Sequence, residues 1–206
     1  MTRMSSTIAL RAFRILFSLC VFAVVGLLPA AQAQELAVQL DPAQSKIEFT
    51  LGATLHSVHG SFKLKSGAIR FDPSTGTVSG AITIDATSGE SGNTGRDKRM
   101  HREILESGQF PEIIFTPKQI KGALAAEGPS KLEVAGTIRL HGQEHDVTLP
   151  LEILSRAGHL QFTTQAVIPY VQWGLKNPST FILRVSDKVT IDIRAAGSLT
   201  SAAAPR

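Results

Sequence analysis

Alternation of apolar and polar residues with a period of two is the feature of this sequence that most restricts its fold. Residues 46–51 read Lys-Ile-Glu-Phe-Thr-Leu, and comparable alternation recurs at short intervals as far as residue 193. The pattern is typical of antiparallel β-strands that bury one face. Eight or nine such segments are present. Strands of this kind and number close into a barrel or stack as a sandwich, and the residues alone leave both architectures open.

Residues 93–115 form the one segment in which this alternation gives way to a helical pattern. Thr94 and Asp97 resemble a capping box at its start, and Gly108 and Pro111 are suited to ending it. Between them, one helical face collects the residues Met100, His101, Ile104 and Leu105. We therefore predict a single short helix, which would cover an open end if the strands form a barrel.

The first 33 residues have the pattern of a secretory signal peptide. Arginines at positions 3, 11 and 14 precede an apolar run over residues 15–28, and a small-x-small sequence ends at Ala33. The run is shorter than the roughly 20 residues that a membrane-spanning helix needs, although an uncleaved anchor is the alternative. We predict cleavage after Ala33, a periplasmic location, a barrel domain over residues 34–197 and a disordered tail over residues 198–206.

Removal of this segment changes what the composition implies. The whole chain has a formal net charge of +4, but three of its 21 basic residues and its single cysteine, Cys20, lie within residues 1–33. The charges of the remaining 18 basic and 17 acidic residues nearly cancel, so much of the excess positive charge lies in the predicted signal peptide. A nearly neutral domain argues against a nucleic-acid partner. A domain without cysteine in an oxidising compartment relies on its packing and forms no disulfide.

The segment that contains the predicted helix also resembles a known family. The YceI-like family typically shows Thr-Gly-Asn-x-x-Arg-Asp-x-His-Leu followed by Pro-x-Ile-x-Phe, and the same spacing occurs here at Gly92, Asn93, Arg96, Asp97, Pro111, Ile113 and Phe115. Three positions depart from the motif, namely Ser91, Arg99 and Met100 in the places of Thr, His and Leu. Further matches at residues 58–62, 66–72, 136–142 and 187–191 extend the resemblance over residues 40–193.

The resemblance implies an all-β fold, an extended antiparallel eight-stranded lipocalin-like barrel with one short helix. It also implies a polyisoprenoid lipid, of the isoprenoid quinone or prenyl phosphate type, bound inside the barrel with no other cofactor. On this basis we predict a non-enzymatic binding protein, a monomer or homodimer that makes transient contact with a membrane. Family members often show Arg-x-Asp-Phe-Gly near residues 170–174, where this chain keeps only Gly174, so no head-group contact carries over.

Candidate binding residues come from the inward face of the alternating segments. They are Phe49, Leu51, Phe62, Ile82, Ile84, Phe115, Ile138, Leu149, Phe162 and Ile191. Tyr170 and Trp173, the only tyrosine and tryptophan, join them as candidates for a cavity mouth, because each combines an apolar body with a polar tip. Periodicity identifies the buried side of a strand but does not separate a ligand cavity from a filled core, and both interpretations stay open here.

The six histidines are the first residues to consider as sites of chemistry. His56 and His59, three residues apart, would point to opposite faces of a regular strand, which is a poor spacing for a shared metal. A small periplasmic metal-dependent enzyme that uses them is one alternative function, and a stress-response accessory protein without a small ligand is another. We predict no metal site and no catalytic group.

Four further polar residues have specific predictions. His101 borders the apolar helix face and is predicted to be packed and hydrogen-bonded. His141 and His145 flank a predicted turn and are placed to approach each other across a hairpin. For Arg96, an ion pair with a nearby carboxylate is favoured over a phosphate or carbonyl contact.

Overall fold

Eight antiparallel strands and one helical segment make up the part of the chain that the computed structural model describes, residues 35–54 and 56–201. The strands are β1 (Leu36–Ala53), β2 (Val58–Phe71), β3 (Val78–Glu90), β4 (Glu112–Lys121), β5 (Gly128–Leu140), β6 (Gln143–Arg156), β7 (His159–Ile168) and β8 (Val185–Ser201). Helix α1 (Thr94–Arg99) lies between β3 and β4 and continues into a π-helical turn (Met100–Ile104).

The strands form a closed barrel. Each strand pairs with the next along the chain, and β8 pairs with β1 to complete the circle. Because β8 pairs with β1, the described barrel lacks the free outer strands that an open sheet would have. The predicted eight-stranded antiparallel barrel with one short helix is confirmed, and the sandwich alternative is wrong for this protein.

The connections differ sharply in length and define two ends of the barrel. One end, the helix end, carries the β1–β2 connection, the helical segment, the two-residue β5–β6 turn and the long β7–β8 connection over residues 169–184. The opposite end carries residues 72–77, 122–127 and the two-residue β6–β7 turn. Both two-residue turns have positive φ at each position, 51° and 76° at His141-Gly142 and 48° and 76° at Ala157-Gly158, as type I′ hairpins require.

Apolar side chains close the opposite end of the barrel. Leu160 is only 1% exposed and packs with Leu132 and Ile153, against which Leu124 and Leu199 are also packed. Two further apolar clusters, around Leu40, Ile47 and Leu64 and around Leu140, Ile168 and Leu175, lie elsewhere in the interior. The interior is therefore plugged at one end, which leaves the helix end as the route into the barrel.

The end of β8 corrects one predicted boundary. Ser198, Leu199 and Thr200 pair with Gln39, Val38 and Ala37, so the tail predicted to be disordered from residue 198 is ordered as far as the end of β8. The small and polar sequence hid this extension, which is held by the β1 ladder and by the packing of Leu199. Residues 202–206 and the predicted signal peptide lie outside the described residues. Within the described part, no helix is long and apolar enough to cross a membrane.

Candidate ligand-binding cavity

A cavity of about 720 Å³ occupies the inside of the barrel. This volume lies within the roughly 300–1,000 Å³ that is usual for small-molecule sites. All eight strands contribute side chains to its wall, which is almost entirely hydrocarbon. The wall includes every one of the twelve predicted binding residues: Phe49, Leu51, Phe62, Ile82, Ile84, Phe115, Ile138, Leu149, Phe162, Tyr170, Trp173 and Ile191.

The cavity opens at the helix end. Its four exposed wall residues are His56, Gly95, Arg96 and Arg99, all from the β1–β2 connection and helix α1, and we call this set the mouth. Among the described wall residues, Arg96 and Arg99 are the only ones with a permanent charge, and none is a carboxylate. The site therefore combines a long apolar interior with a cationic entrance.

The helical segment brings three apolar side chains over the entrance. A hydrogen bond of 2.9 Å from the Leu105 backbone N–H to the Met100 carbonyl closes a π-helical turn, and Met100, Ile104 and Leu105 all join the cavity wall. The predicted apolar helix face is thus confirmed for these three residues. Turns of this kind locally alter the direction of side chains and are frequent at functional sites.

The residues that begin and end the helical segment differ from the predicted ones. The side chain that caps the start is Asn93, whose Oδ1 accepts a 3.0 Å hydrogen bond from the Arg96 backbone N–H. Thr94 is already helical, and Asp97 turns back to bond Ser91. At the other end Glu106, not Gly108, adopts the left-handed conformation, with φ 46°. Its carbonyl then accepts hydrogen bonds from the N–H groups of Gln109 and Phe110, which redirects the chain into β4.

Arg96 is held at the mouth by a serine and not by a carboxylate. Its Nε donates a 2.7 Å hydrogen bond to the Ser91 hydroxyl, and its Nη2 donates a 2.8 Å bond to the Ser91 carbonyl. The same hydroxyl and the Ser91 N–H donate to the Asp97 carboxylate. No described carboxylate forms an ion pair with Arg96, so the predicted ion pair is wrong. The Ser91 hydroxyl thus bridges the two charged side chains, which form no direct ion pair.

Arg99 shares its carboxylate partner with a second arginine. Glu103 accepts a 3.1 Å hydrogen bond from the Arg99 Nε and another from Arg102. Hydrogen bonds from Arg102, and then from Arg99, lower the pKa of the Glu103 carboxyl, which keeps it ionised. One negative charge thus faces two positive ones, and the mouth retains a net positive charge.

Tyr170 and Trp173 both line the cavity, but they differ in exposure. Tyr170 is only 5% exposed, and its hydroxyl donates a 2.7 Å hydrogen bond to the Ser186 carbonyl, so its polar tip does not reach the exposed mouth. Burial, with a smaller contribution from the nearby Asp187 charge, raises the pKa of Tyr170 to about 12. Trp173 is half-buried and stacks on His145, with ring centroids 4.2 Å apart and nearly parallel planes.

The histidines are distributed among separate contacts. His56 stands at the mouth, whereas His59 on β2 hydrogen-bonds Thr50 at 3.1 Å on an exposed part of the barrel. His101 is packed and hydrogen-bonded as predicted, to the Ser107 hydroxyl at 2.9 Å and the Gly89 carbonyl at 2.8 Å. Among the residues described, no group of three or more His, Cys, Asp or Glu side chains is placed to hold a metal ion.

The two histidines of the β5–β6 hairpin make separate contacts across the helix end. His141 bonds Glu106 at 2.9 Å and packs against Phe110, whereas His145 stacks on Trp173. The prediction that His141 and His145 approach each other is therefore wrong, because each ring has a different partner. Phe110 packs against one histidine ring and Trp173 against the other, and these contacts hold the two rings in separate places.

Comparison with known proteins places this barrel and its cavity in a family. The family model of the YceI-like domain matches residues 38–196, which is more than half of the chain. The chain belongs to the YceI-like family. The motif noted in the sequence runs from Ser91, just after β3, through helix α1 to Phe115 on β4, and it lies entirely within the matched region.

Solved structures similar to this YceI-like barrel share its fold at low sequence identity. BcnA from Burkholderia cenocepacia aligns with a TM-score of 0.63 and 20% identity, over 76% of this chain and 98% of its own. A polyisoprenoid binding domain from Saccharophagus degradans, implicated in plant cell wall breakdown, aligns with a TM-score of 0.60 and 17% identity, over 80% and 99%. At these identities the likeness establishes the fold alone.

A relative with higher identity matches over a shorter range. A UPF0312 protein from Vibrio parahaemolyticus is 27% identical over 127 residues, which is 60% of this chain and 65% of the relative. A second UPF0312 protein, from Vibrio vulnificus, is 26% identical over 128 residues, 61% of this chain and 66% of its own. The chain thus spans just under two thirds of the length of each of these relatives.

The departures from the YceI-like motif have different consequences in the structure. Ser91, in the place of Thr, keeps the hydroxyl that links Arg96 to Asp97, so the network survives the change. Arg99, in the place of His, adds a permanent positive charge to the mouth. This YceI-like chain therefore has two guanidinium groups at its entrance.

Several wall residues of this YceI-like cavity were not among the predicted binding residues. Arg99, His56 and the apolar helix face reach it from the helix end, and the helix face was already visible in the sequence as a periodic pattern. Leu175, Pro178 and Leu183 reach it from the long β7–β8 connection. Apart from Tyr170 and Trp173, no sequence signal distinguishes the inward side chains of that connection from the outward ones, because it has no regular period.

Proposed function

We propose that this YceI-like protein binds a polyisoprenoid lipid, of the isoprenoid quinone or prenyl phosphate type, with its apolar chain in the barrel cavity. The observation that carries the proposal is a hydrocarbon-lined cavity of about 720 Å³ that opens at one end. Burial of each ligand carbon contributes about 0.8 kcal/mol, so enclosure of a few isoprene units would support strong binding. The similar domain from Saccharophagus degradans, described as polyisoprenoid binding, adds support.

Native mass spectrometry of the protein isolated from bacterial cells tests this function. We expect a discrete added mass that extracts into organic solvent as a prenyl lipid, because such a ligand would have no comparable environment in water. An unliganded mass together with no uptake of added ubiquinone or geranylgeraniol would contradict the proposal. Geranylgeraniol has the prenyl chain without a large head group, so its affinity reports the contribution of the cavity alone.

We also propose that the protein is exported to the periplasm. The pattern of residues 1–33 supports it, since a lipid that crosses an aqueous compartment needs a sheltered carrier. A monomer or homodimer would suffice, because each barrel encloses its own cavity. Cell fractionation followed by determination of the N-terminal residue tests both the location and cleavage after Ala33.

Transient contact with a membrane is the step that would load and unload the cavity, and the long β7–β8 connection is suited to it. Phe181 is 98% exposed and Ile182 is 88% exposed. The next residue, Leu183, lies in the cavity wall. Two large apolar side chains thus project into solvent beside the cavity, where insertion at a bilayer surface would bury them.

The charges of the connections also favour an orientation in which the helix end of the barrel faces the membrane. The connections at the helix end contain six basic and three acidic residues, whereas those at the opposite end contain two acidic residues and no basic one. Anionic lipids attract basic residues near a bilayer surface, by about 1 kcal/mol each. The helix end would therefore face an anionic membrane.

The double substitution Phe181→Asp with Ile182→Asp tests this contact. We expect at least about a tenfold loss of binding to phosphatidylglycerol-rich vesicles in cosedimentation, because two inserted apolar side chains are replaced by charges that anionic lipids repel. Binding of geranylgeraniol in the absence of vesicles should not change. Leu154→Asp, which charges a 39%-exposed leucine on β6, is the matched control and should bind vesicles normally. Equal vesicle binding by the double variant and the unaltered protein would exclude this loop as the contact.

A further inference from the structure

We propose that the mouth selects amphiphiles with an anionic oxyanion head group, a phosphate or a carboxylate, over neutral ones with the same chain. Arg96 and Arg99 are the residues assigned to this contact. The inference rests on the proposed function, because it assumes that an apolar chain enters the cavity. It adds the chemistry of the head group, which the apolar interior does not specify.

The positive charges of this cavity lie where the polar end of a bound amphiphile would be. The interior wall is hydrocarbon, and the permanently charged residues in its described part are confined to the mouth. An amphiphile whose chain fills the interior would place its polar end at this entrance. The groups that it would meet there are the two guanidinium groups, together with His56.

Hydrogen bonds hold the Arg96 guanidinium in place at the mouth. Both of its bonds go to Ser91, which fixes the plane of the guanidinium while leaving its remaining N–H groups available. No described carboxylate neutralises its charge by an ion pair. A fixed planar guanidinium is well suited to paired hydrogen bonds with a phosphate or carboxylate.

The positive charge at Arg99 is only partly balanced by a carboxylate. Its partner Glu103 is shared with Arg102, so this carboxylate cannot neutralise both guanidinium groups. The polar groups deeper in the wall are occupied by the protein itself, since Ser45 bonds Asp41, Thr164 bonds Pro150 and Tyr170 bonds Ser186. The mouth therefore offers hydrogen-bond donors and positive charge, which suit an anion better than a neutral hydroxyl or carbonyl.

Two ligands that differ only in the head group provide the test. Geranylgeranyl monophosphate and geranylgeraniol have the same prenyl chain, and their affinities for the delipidated protein are measured by isothermal titration calorimetry. We expect the phosphate to bind at least tenfold more tightly at low salt, with a preference that shrinks as salt screens the exposed charges. In the double variant Arg96→Gln with Arg99→Gln, the preference should fall to about twofold or less, and the affinity for the alcohol should stay the same.

Lys98→Gln is the matched control. It removes the same charge from the same helical segment, but Lys98 is exposed, lies outside the described cavity wall and does not share the carboxylate of Glu103. It should keep the phosphate preference. The single variant Arg99→Gln leaves the Ser91 network intact and should lower the preference by itself, which separates a direct contact from a change in the shape of the helical segment.

The possible outcomes separate the two proposals. Equal affinities for phosphate and alcohol, or a preference that the double variant retains, would overturn the head-group inference while leaving the lipid-binding function intact. Failure of both ligands to bind the unaltered protein would overturn the lipid-binding function and this inference with it. Retained alcohol binding by the double variant shows that its cavity is still folded.

Discussion

The Phe162→Arg variant is expected to lose lipid binding by roughly a thousandfold or more. Phe162 lies on β7 and packs against two interior clusters, those around Leu64 and Leu160, so its side chain reaches the middle of the cavity. An arginine there would displace at least one isoprene unit, and loss of five buried carbons at about 0.8 kcal/mol each amounts to about 4 kcal/mol. At roughly 1.4 kcal/mol per factor of ten, this corresponds to almost a thousandfold in Kd.

Equilibrium binding of geranylgeraniol measures the effect, and two other variants make it interpretable. Gln161→Arg adds the same side chain to an exposed neighbour on the outer face of β7 and should bind normally. Ala166→Trp adds bulk without charge to a wall residue that is 7% exposed, and it should also block the cavity. If Phe162→Arg fails to fold while Ala166→Trp folds and binds with full affinity, the ligand does not lie where we place it.

The Gly80→Ala variant is expected to lose about 3 kcal/mol or more of unfolding free energy. Gly80 lies within β3 at φ 109°, where an L-residue is strained, and an added Cβ would stand 2.1 Å from the Ala68 carbonyl oxygen. That oxygen belongs to the backbone of the paired strand β2, so no side-chain rotation relieves the clash. A loss of this size corresponds to roughly 10 °C in Tm for a domain of this length.

Thermal and chemical denaturation measure this loss, and a second glycine provides the control. Gly108→Ala makes the same substitution where an added Cβ meets no heavy atom within 4 Å and where φ is not positive. It should leave stability unchanged or slightly raised, because alanine restricts the unfolded chain more than glycine does. Equal stability of the two alanine variants would mean that β2 and β3 separate locally at low cost.

The inward faces of the strands could be predicted because their signal is local. Side chains alternate across a strand, so the apolar positions at Phe49, Phe62 and Phe162 indicate the buried side without knowledge of the partner strands. Helical periodicity, which is also a local signal, identified the apolar helix face at Met100 and Ile104. The barrel itself came from the family resemblance, since eight amphipathic strands are compatible with a sandwich as well.

Other features depended on contacts between residues far apart in sequence. The sequence places His141 and His145 so that they could approach each other across a hairpin, but Phe110 and Trp173 pack against them from distant segments. The ordered end of β8 depends on pairing with β1 at the other end of the described chain. Neither partner is visible in a short window of sequence.

Arg96 illustrates the same limit at the scale of one side chain. Several carboxylates lie close to it in sequence, and an ion pair was the natural expectation. In the structure, the hydroxyl and carbonyl of Ser91 accept its hydrogen bonds, and Asp97 is turned toward the same serine. Which acceptor an arginine finds depends on the path of the backbone between residues 91 and 97, and the sequence pattern does not specify that path.

The sequence by itself determined which side of each strand is apolar, where the single helix lies and which family the motif resembles, because each of these is recorded in neighbouring residues. Only the tertiary structure decided that the apolar sides surround an open cavity with a cationic mouth. The physical reason is that enclosed volume depends on how eight strands close around the axis and on how far their side chains reach across it. A filled core and a ligand cavity can share one alternating pattern, and the volume of about 720 Å³ inside the closed barrel distinguishes them.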